Sequence, residues 1–211
     1  MYENSVLKFK VIFIGDSYVG KSSIIYKYIY GDEHGVTLGA TTNRLSDFCE
    51  NQKILINIWD TSEHDTYDRI TPIFAEGSNA VIFVFDQAKK ISFEHINEWE
   101  KYSEKCTNNE DVIKILVANK SDLAIDIDLA EVQHYASDHN MFFIRTSIKD
   151  LNIINELFSN LKRMLWEKFK NRVIPDENNE EVAKNSKENT SKKKEKHSKK
   201  GKIKSKECFI F

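Results

Sequence analysis

The apolar positions of the chain fall into short dense clusters, and two periods run through them. Phe9 to Ile14 is a short, largely apolar run rich in β-branched residues, so 7–14 reads as a buried strand. Over residues 23–30, Ile24, Ile25, Tyr28 and Ile29 recur at helical spacing. Residues 45–50 and 53–60 predict two strands around Asn51-Gln52. In the second, Ile54, Ile56 and Ile58 alternate with Leu55, Asn57 and Trp59, which suits an antiparallel hairpin at a sheet edge. AVIFVFD at 80–86 and VIKILVAN at 112–119 are short apolar runs ending in a polar residue, the signature of buried parallel strands, and 141–145 is a shorter third. Helical spacing returns at 92–106, at about 128–139 and at 152–170. In the last of these, Ile153, Ile154, Leu157, Phe158, Leu161, Leu165 and Phe169 form one face. The alternation predicts an α/β fold: a six-stranded, mostly parallel sheet with one antiparallel edge strand and helices on both faces. Ligands of such sheets bind at the carboxyl ends of the strands, where Asp60, Asp86 and Asn119 fall.

The pattern stops near residue 174. Residues 175–207 are Asn, Lys, Glu and Ser, too few apolar groups to offset chain entropy, and are expected to be disordered. The expected organisation is one domain over 1–174, a basic tail over 175–207 and a terminal motif at 208–211. The formal net charge of −2 hides an asymmetry. Residues 191–211 hold nine Lys and two Glu, leaving the rest of the chain acidic. An acidic body with a basic end argues against a nucleic-acid binder and for a tail drawn to an anionic surface. Three cysteines without metal-ligand spacing suit a reducing compartment. Met1-Tyr2-Glu3-Asn4 is polar, so no signal peptide is expected. Tyr2 stands where N-myristoylation needs glycine, and the apolar runs are too short to span a bilayer.

Between the first strand and the first helix lies Gly15-Asp16-Ser17-Tyr18-Val19-Gly20-Lys21-Ser22, which fits G-x-x-x-x-G-K-[ST]. In such a loop, successive backbone N–H groups curl around a phosphate beside the positive end of a helix. Gly15 and Gly20 allow the sharp turn and close approach. Lys21 is expected to reach the β- and γ-phosphates, and the Ser22 hydroxyl to bind Mg²⁺. Ser17, Tyr18, Val19, Gly20 and Ser23 complete the expected phosphate contacts.

The base is chosen elsewhere. Asn119-Lys120-Ser121-Asp122 follows a strand, and Asn-Lys-x-Asp in that place reads guanine. The Asp122 carboxylate accepts from both N1–H and the N2 amino group. Adenine lacks those donors and would leave the carboxylate unpaired.

Taken together, GDSYVGKS, Trp59-Asp60-Thr61, Asn119-Lys120-Ser121-Asp122 and Thr146-Ser147-Ile148-Lys149 resemble the Ras superfamily of small GTPases over about residues 6–170. Ile70-Thr71-Pro72-Ile73-Phe74, Phe85-Asp86, Ser92-Phe93, Trp99 and Leu116 to Leu123 are most similar to Rab proteins. The resemblance implies a GTP/GDP switch with Mg²⁺. Thr37 matches the threonine that binds Mg²⁺ and senses the γ-phosphate, and Asp60 the aspartate that holds Mg²⁺ through water. Ser147, Ile148 and Lys149 match the loop supporting the base, and Lys120 lies along its plane. The resemblance also implies an exchange factor, a GTPase-activating protein, effectors and a prenyl-binding escort as partners, and a place on the cytoplasmic face of an intracellular membrane.

The chain departs from that pattern at three places. Glu63 replaces the glycine whose N–H meets the γ-phosphate. It either brings negative charge toward that phosphate or turns to solvent. His64 replaces the glutamine that orients the attacking water, so slow hydrolysis is expected, with His64 as the catalytic-position residue beside Lys21; a plain surface histidine is the other reading. The segment from Lys21 to Thr37 is short. Tyr30 is the candidate to cover the guanine, while Tyr28 equally suits the core. Tyr18 either folds over the nucleotide or faces solvent.

Cys208-Phe209-Ile210-Phe211 is a C-a-a-X end, and Phe at the last position favours geranylgeranyl. One prenyl chain anchors weakly, and the lysines of 192–206 supply the second signal. Two functional readings follow: a slow GTP-hydrolysing switch, or a pseudo-GTPase that binds nucleotide as a membrane scaffold.

Overall fold

The seven residues of Ala80–Asp86 are all buried, as expected for a strand with helices against both faces. The computed structural model describes residues 6–31, 41–61, 75–107 and 111–170. Its strands are β1 Leu7–Ile14, β2 Thr41–Cys49, β3 Gln52–Asp60, β4 Ala80–Asp86, β5 Ile113–Asn119 and β6 Phe142–Arg145. The helices are α1 Lys21–Tyr30, α2 Lys90–Glu94, α3 Ile96–Thr107, α4 Leu129–Asp138 and α5 Leu151–Phe169. The sheet order is β2-β3-β1-β4-β5-β6, with only the β2–β3 pairing antiparallel. The expected six-stranded, mostly parallel sheet is the one observed.

Side chains alternate across the strands, so each face carries its own core. Val11, Phe13, Ile56, Ile82 and Ile115 face α1 and α5. Ile12, Ile14, Phe83, Phe85 and Leu116 face α2, α3 and α4. On α5 the buried residues are Ile154, Leu157, Phe158, Leu161, Leu165 and Phe169, the predicted face less Ile153, which lies at its margin. Phe158 stacks on Tyr28 with ring centroids 3.8 Å apart and on Phe13 at 6.3 Å. Tyr28 therefore belongs to the core.

Asp128 caps α4 through Ala130 N–H at 2.8 Å, and Asp150 caps α5 through Asn152 N–H at 3.0 Å. Two local expectations are corrected. The hairpin turns at Glu50-Asn51, not Asn51-Gln52. Both turn residues have positive φ (46° and 70°), the geometry of a two-residue hairpin loop, and Cys49 pairs with Gln52. The helix expected over 92–106 is two helices meeting at His95. Its ψ of −12° departs from the helical value of about −42° and closes a tight turn.

Candidate functional site

The phosphate loop joins β1 to α1 at the carboxyl edge of the sheet. The backbone there takes conformations that only particular residues accept. Gly15 has φ +143°, and a Cβ on it would stand 2.0 Å from the Val84 carbonyl oxygen. Gly20 has φ +97°, and a Cβ there would meet Asn119 Nδ2 at 2.4 Å. Both are glycines because backbone and side chain pass that close. Tyr18, at φ 64°, is a left-handed residue that is not glycine, and it is 65% exposed. No side chain caps the N-terminus of α1. Its first-turn N–H groups and the positive helix end thus face the concavity of the loop. Lys21 is 5% exposed, and its ammonium donates to the carbonyls of Gly15 (2.8 Å) and Asp16 (2.9 Å). A cation and converging N–H groups in a glycine-bounded hollow form a cradle for phosphate.

Asp60 ends β3, and the register pairs it with Phe13, two residues before the loop. It is fully buried, and the neighbouring Thr61 hydroxyl donates to the Phe13 carbonyl at 2.9 Å. Ser22 stands half-buried in the first turn of α1. A carboxylate and a hydroxyl are hard oxygen donors of the kind Mg²⁺ takes, so the residues fit that ion.

The second half of the site follows β5. Asn119 is buried and works as a joint. Its Nδ2 donates to the Val19 carbonyl at 2.8 Å, and its Oδ1 accepts from the Thr146 hydroxyl at 3.0 Å. Lys120, left-handed at φ 61°, donates to the Tyr18 carbonyl and pairs with buried Asp86, each at 2.8 Å. Asp122 accepts from Ser147 Oγ at 2.6 Å and pairs with Lys149 Nζ at 2.7 Å. Lys149 foremost, then Ser147, hold its carboxyl down at about 2. The group is therefore an ionised acceptor at neutral pH, as a reader of two N–H donors requires. Gly20, Ser23, Asn119, Lys120, Asp122, Leu123, Ile148 and Lys149 line a cavity of ≈ 130 Å³ between the two halves.

The structure thus gathers Ser17 to Ser23, Asp60, Asn119, Lys120, Asp122, Ser147, Ile148 and Lys149 at one edge of the sheet. Tyr30 ends α1, is 62% exposed and packs on Tyr26 with centroids 5.1 Å apart. Thr37, Glu63, His64 and Cys208 lie outside the described residues.

Sequence reasoning gave no role to several supporting residues. Asp86 holds Lys120. Thr146 ties Asn119 to the loop after β6. Gln87 is fully buried, accepts from Arg145 at 3.0 and 3.1 Å and donates to the Leu123 carbonyl at 3.1 Å, which steadies the base-side loop. Asp16 reaches His95 and Trp99. Asp16 and Thr146 stood inside sequence motifs without a role of their own, and Asp86 was marked only as a polar residue ending an apolar strand, with nothing to join it to Lys120.

A strand, a glycine-bounded phosphate loop and a helix, with a second loop beside it that presents Asn-Lys-x-Asp, define a P-loop nucleotide-binding protein of the guanine-reading kind. The sequence model of the Ras family matches residues 10–167. Ras-related protein Rab-5A of Dictyostelium discoideum is 30% identical over 167 residues, covering 77% of this chain and 83% of that protein. The chain belongs to the Ras family of small GTPases and is similar to Rab proteins within it. Proteins of this family are GTP/GDP-binding switches that use Mg²⁺ and hydrolyse GTP.

Proposed function

We propose that this chain is a Rab-like switch that binds GTP and GDP, hydrolyses GTP slowly, and acts in vesicle traffic from a membrane to which its tail is anchored. The Asn119 joint carries the binding half of this reading. It fixes the phosphate loop and the base-side loop in one geometry, with an ionised Asp122 at one end and the Lys21 ammonium at the other. Lys21 orients the β- and γ-phosphates, the α1 N-terminus adds N–H groups, and Asp122 selects guanine. Ser22, Thr37 and Asp60 hold Mg²⁺, which when bound neutralises phosphate charge. Tyr30 covers the base from the exposed end of α1.

Slow hydrolysis follows from residues 63 and 64. Loss of one positioning or charge-stabilising group costs about 10²–10³ in rate. Glu63 and His64 stand where the family places a glycine and a glutamine. Those same two residues support the second reading, a pseudo-GTPase that binds nucleotide without turning it over.

A single-turnover assay of GTP-loaded protein, alone and with a GTPase-activating protein, separates the two. Phosphate release above background supports the switch, and its absence in both arms supports the scaffold. The Glu63→Gly, His64→Gln double variant is expected to gain hydrolysis by about 10² or more.

The proposed domain covers 1–174, with a basic tail over 175–207 and prenylation at Cys208; the tail and Cys208 lie outside the described residues. Among the described residues no helix is long and apolar enough to cross a membrane. A single geranylgeranyl chain and the lysines act together at an anionic cytoplasmic surface. An exchange factor, a GTPase-activating protein, effectors and a prenyl-binding escort complete the cycle. Prenylated chain is expected to bind anionic vesicles and lose them when Cys208 is changed to Ser.

A further inference from the structure

Apart from Lys21, Asp16 is the only charged side chain in the stretch from Gly15 to Ser22, and it is engaged from outside the loop. Its Oδ1 accepts from Trp99 Nε1 at 2.8 Å, and its Oδ2 lies 2.7 Å from His95 Nδ1. A carboxylate only accepts, so His95 presents Nδ1–H. Trp99 is 2% exposed in the first turn of α3, in the same packed layer as Phe85, Phe93 and Ile96. His95 is the hinge residue between α2 and α3 and donates its own N–H to the Ile91 carbonyl at 3.1 Å. Both donors thus ride on a segment fixed to the sheet, and the phosphate loop is the part they steady.

The backbone of the same residue meets the binding lysine. The Asp16 carbonyl accepts from Lys21 Nζ at 2.9 Å, beside the Gly15 carbonyl at 2.8 Å. Two bonds on the Asp16 side chain restrain rotation of its peptide group, and that rotation decides where its carbonyl aims. We infer that Asp16, His95 and Trp99 form a positioning anchor that sets the place of the Lys21 ammonium and, through it, how fast a bound guanine nucleotide leaves. The inference rests on the nucleotide-binding function above and adds to it a control of release from α3, on the side of the loop away from the base.

The test uses the full-length chain loaded with a fluorescent GDP, with release followed after addition of excess unlabelled GDP. Trp99→Phe keeps the packed ring and removes the donor. His95→Ala and Asp16→Ala remove the other donor and the acceptor. Each is expected to speed release by about tenfold, the scale of one lost hydrogen bond to a charged group. Adding Trp99→Phe to Asp16→Ala is expected to give no further acceleration, because the two share one interaction. Thermal melts run in parallel. Lower melting temperatures with unchanged release, or additive effects in the double variant, overturn the anchor and leave a structural contact. If Trp99→Phe does not fold, His95→Ala, at a partly exposed position, together with Asp16→Ala decides by the same criteria. Failure of the unaltered chain to retain GDP would overturn the nucleotide-binding function itself, an outcome distinct from failure of the anchor.

Discussion

Asn119 donates to the carbonyl of Val19 across 100 residues of chain, and the 2.8 Å contact is buried. Its oxygen is held in turn by the Thr146 hydroxyl at 3.0 Å. One amide therefore ties the phosphate side of the site to both loops on the base side. Asn119→Ala leaves the Val19 carbonyl and the Thr146 hydroxyl short of partners in a dry place. It is expected to cost about 1–3 kcal/mol for each group left unsatisfied. Urea unfolding checks that, and calorimetric titration with GDP is expected to show weaker binding in the same variant.

The Gly15 position tests the cradle from the other side. A methyl group there would sit 2.0 Å from the Val84 carbonyl oxygen, on a backbone with φ +143° that L side chains rarely adopt. Gly15→Ala must therefore displace β1 from β4 or reshape the loop. It is expected to destabilise the fold by about 2 kcal/mol or more, the range for strained backbone and overpacking. GDP binding should fall with it. An unchanged melting temperature with unchanged GDP affinity would refute the tight fit.

Asp122 makes a prediction in pH. Its carboxyl is held at about 2, below the ordinary 3.8, by Lys149 first and Ser147 second. For a depressed carboxylate, the stabilisation is complete above the unfolded value and is lost as pH falls through the folded one. The stability difference between the wild-type chain and Lys149→Ala is thus expected to be full at pH 6. It should shrink as pH drops from about 4 toward 2. Melts across that range check it, and NMR of the Asp122 carboxyl should show its midpoint rising in the variant.

At the opposite end of the sheet, Glu100 separates stability from binding. It is 4% exposed and accepts from Lys114 at 2.8 Å and from the Tyr135 hydroxyl at 2.7 Å, with His139 Nδ1 against it. Burial alone would raise its carboxyl. The bonds from Lys114 and Tyr135 outweigh that and leave it lowered. Glu100→Ala leaves the Tyr135 hydroxyl without its acceptor and Lys114 with Glu104 alone, and is expected to cost about 1–3 kcal/mol. GDP affinity is expected to stay as it was, since the network joins α3, α4 and the start of β5 rather than the carboxyl edge.

The parts of the fold legible in the sequence were those set by period. Ala80–Asp86 and Leu7–Ile14 matched to the residue: the first is an apolar run closed by Asp86, and the second ends in the apolar stretch Val11 to Ile14 just before Gly15. The hairpin turn slipped by one place because Glu50 at positive φ carries no signature of its own. The break at His95 was invisible because a single ψ, not a change of pattern, divides the two helices. Within the site, motif residues were readable because their spacing is fixed by the ligand they serve. The Asp86–Lys120 pair and the contacts of Asp16 were not, because each depends on strands or helices brought together only by the sheet order. Gln87 shows the same limit. A glutamine after a strand looks solvated in sequence, yet here it is fully buried and clamps Arg145 and the Leu123 carbonyl.

The sheet order has a consequence for how the protein is made. β1 emerges first from the ribosome but lies between β3 and β4, and its Phe13 face is closed by Phe158 on the last helix. The first strand must therefore wait, with apolar side chains uncovered, until more than half of the domain has been synthesised. At about 5–20 residues per second that interval lasts several seconds, long enough for a nascent chain to need a holding chaperone. Thr146, on which the Asn119 joint depends, arrives only just before that last helix. Capture of guanine nucleotide by ribosome-bound chains should begin only after α5 has cleared the exit tunnel, so GTP loading can serve as a clock for completion of this fold.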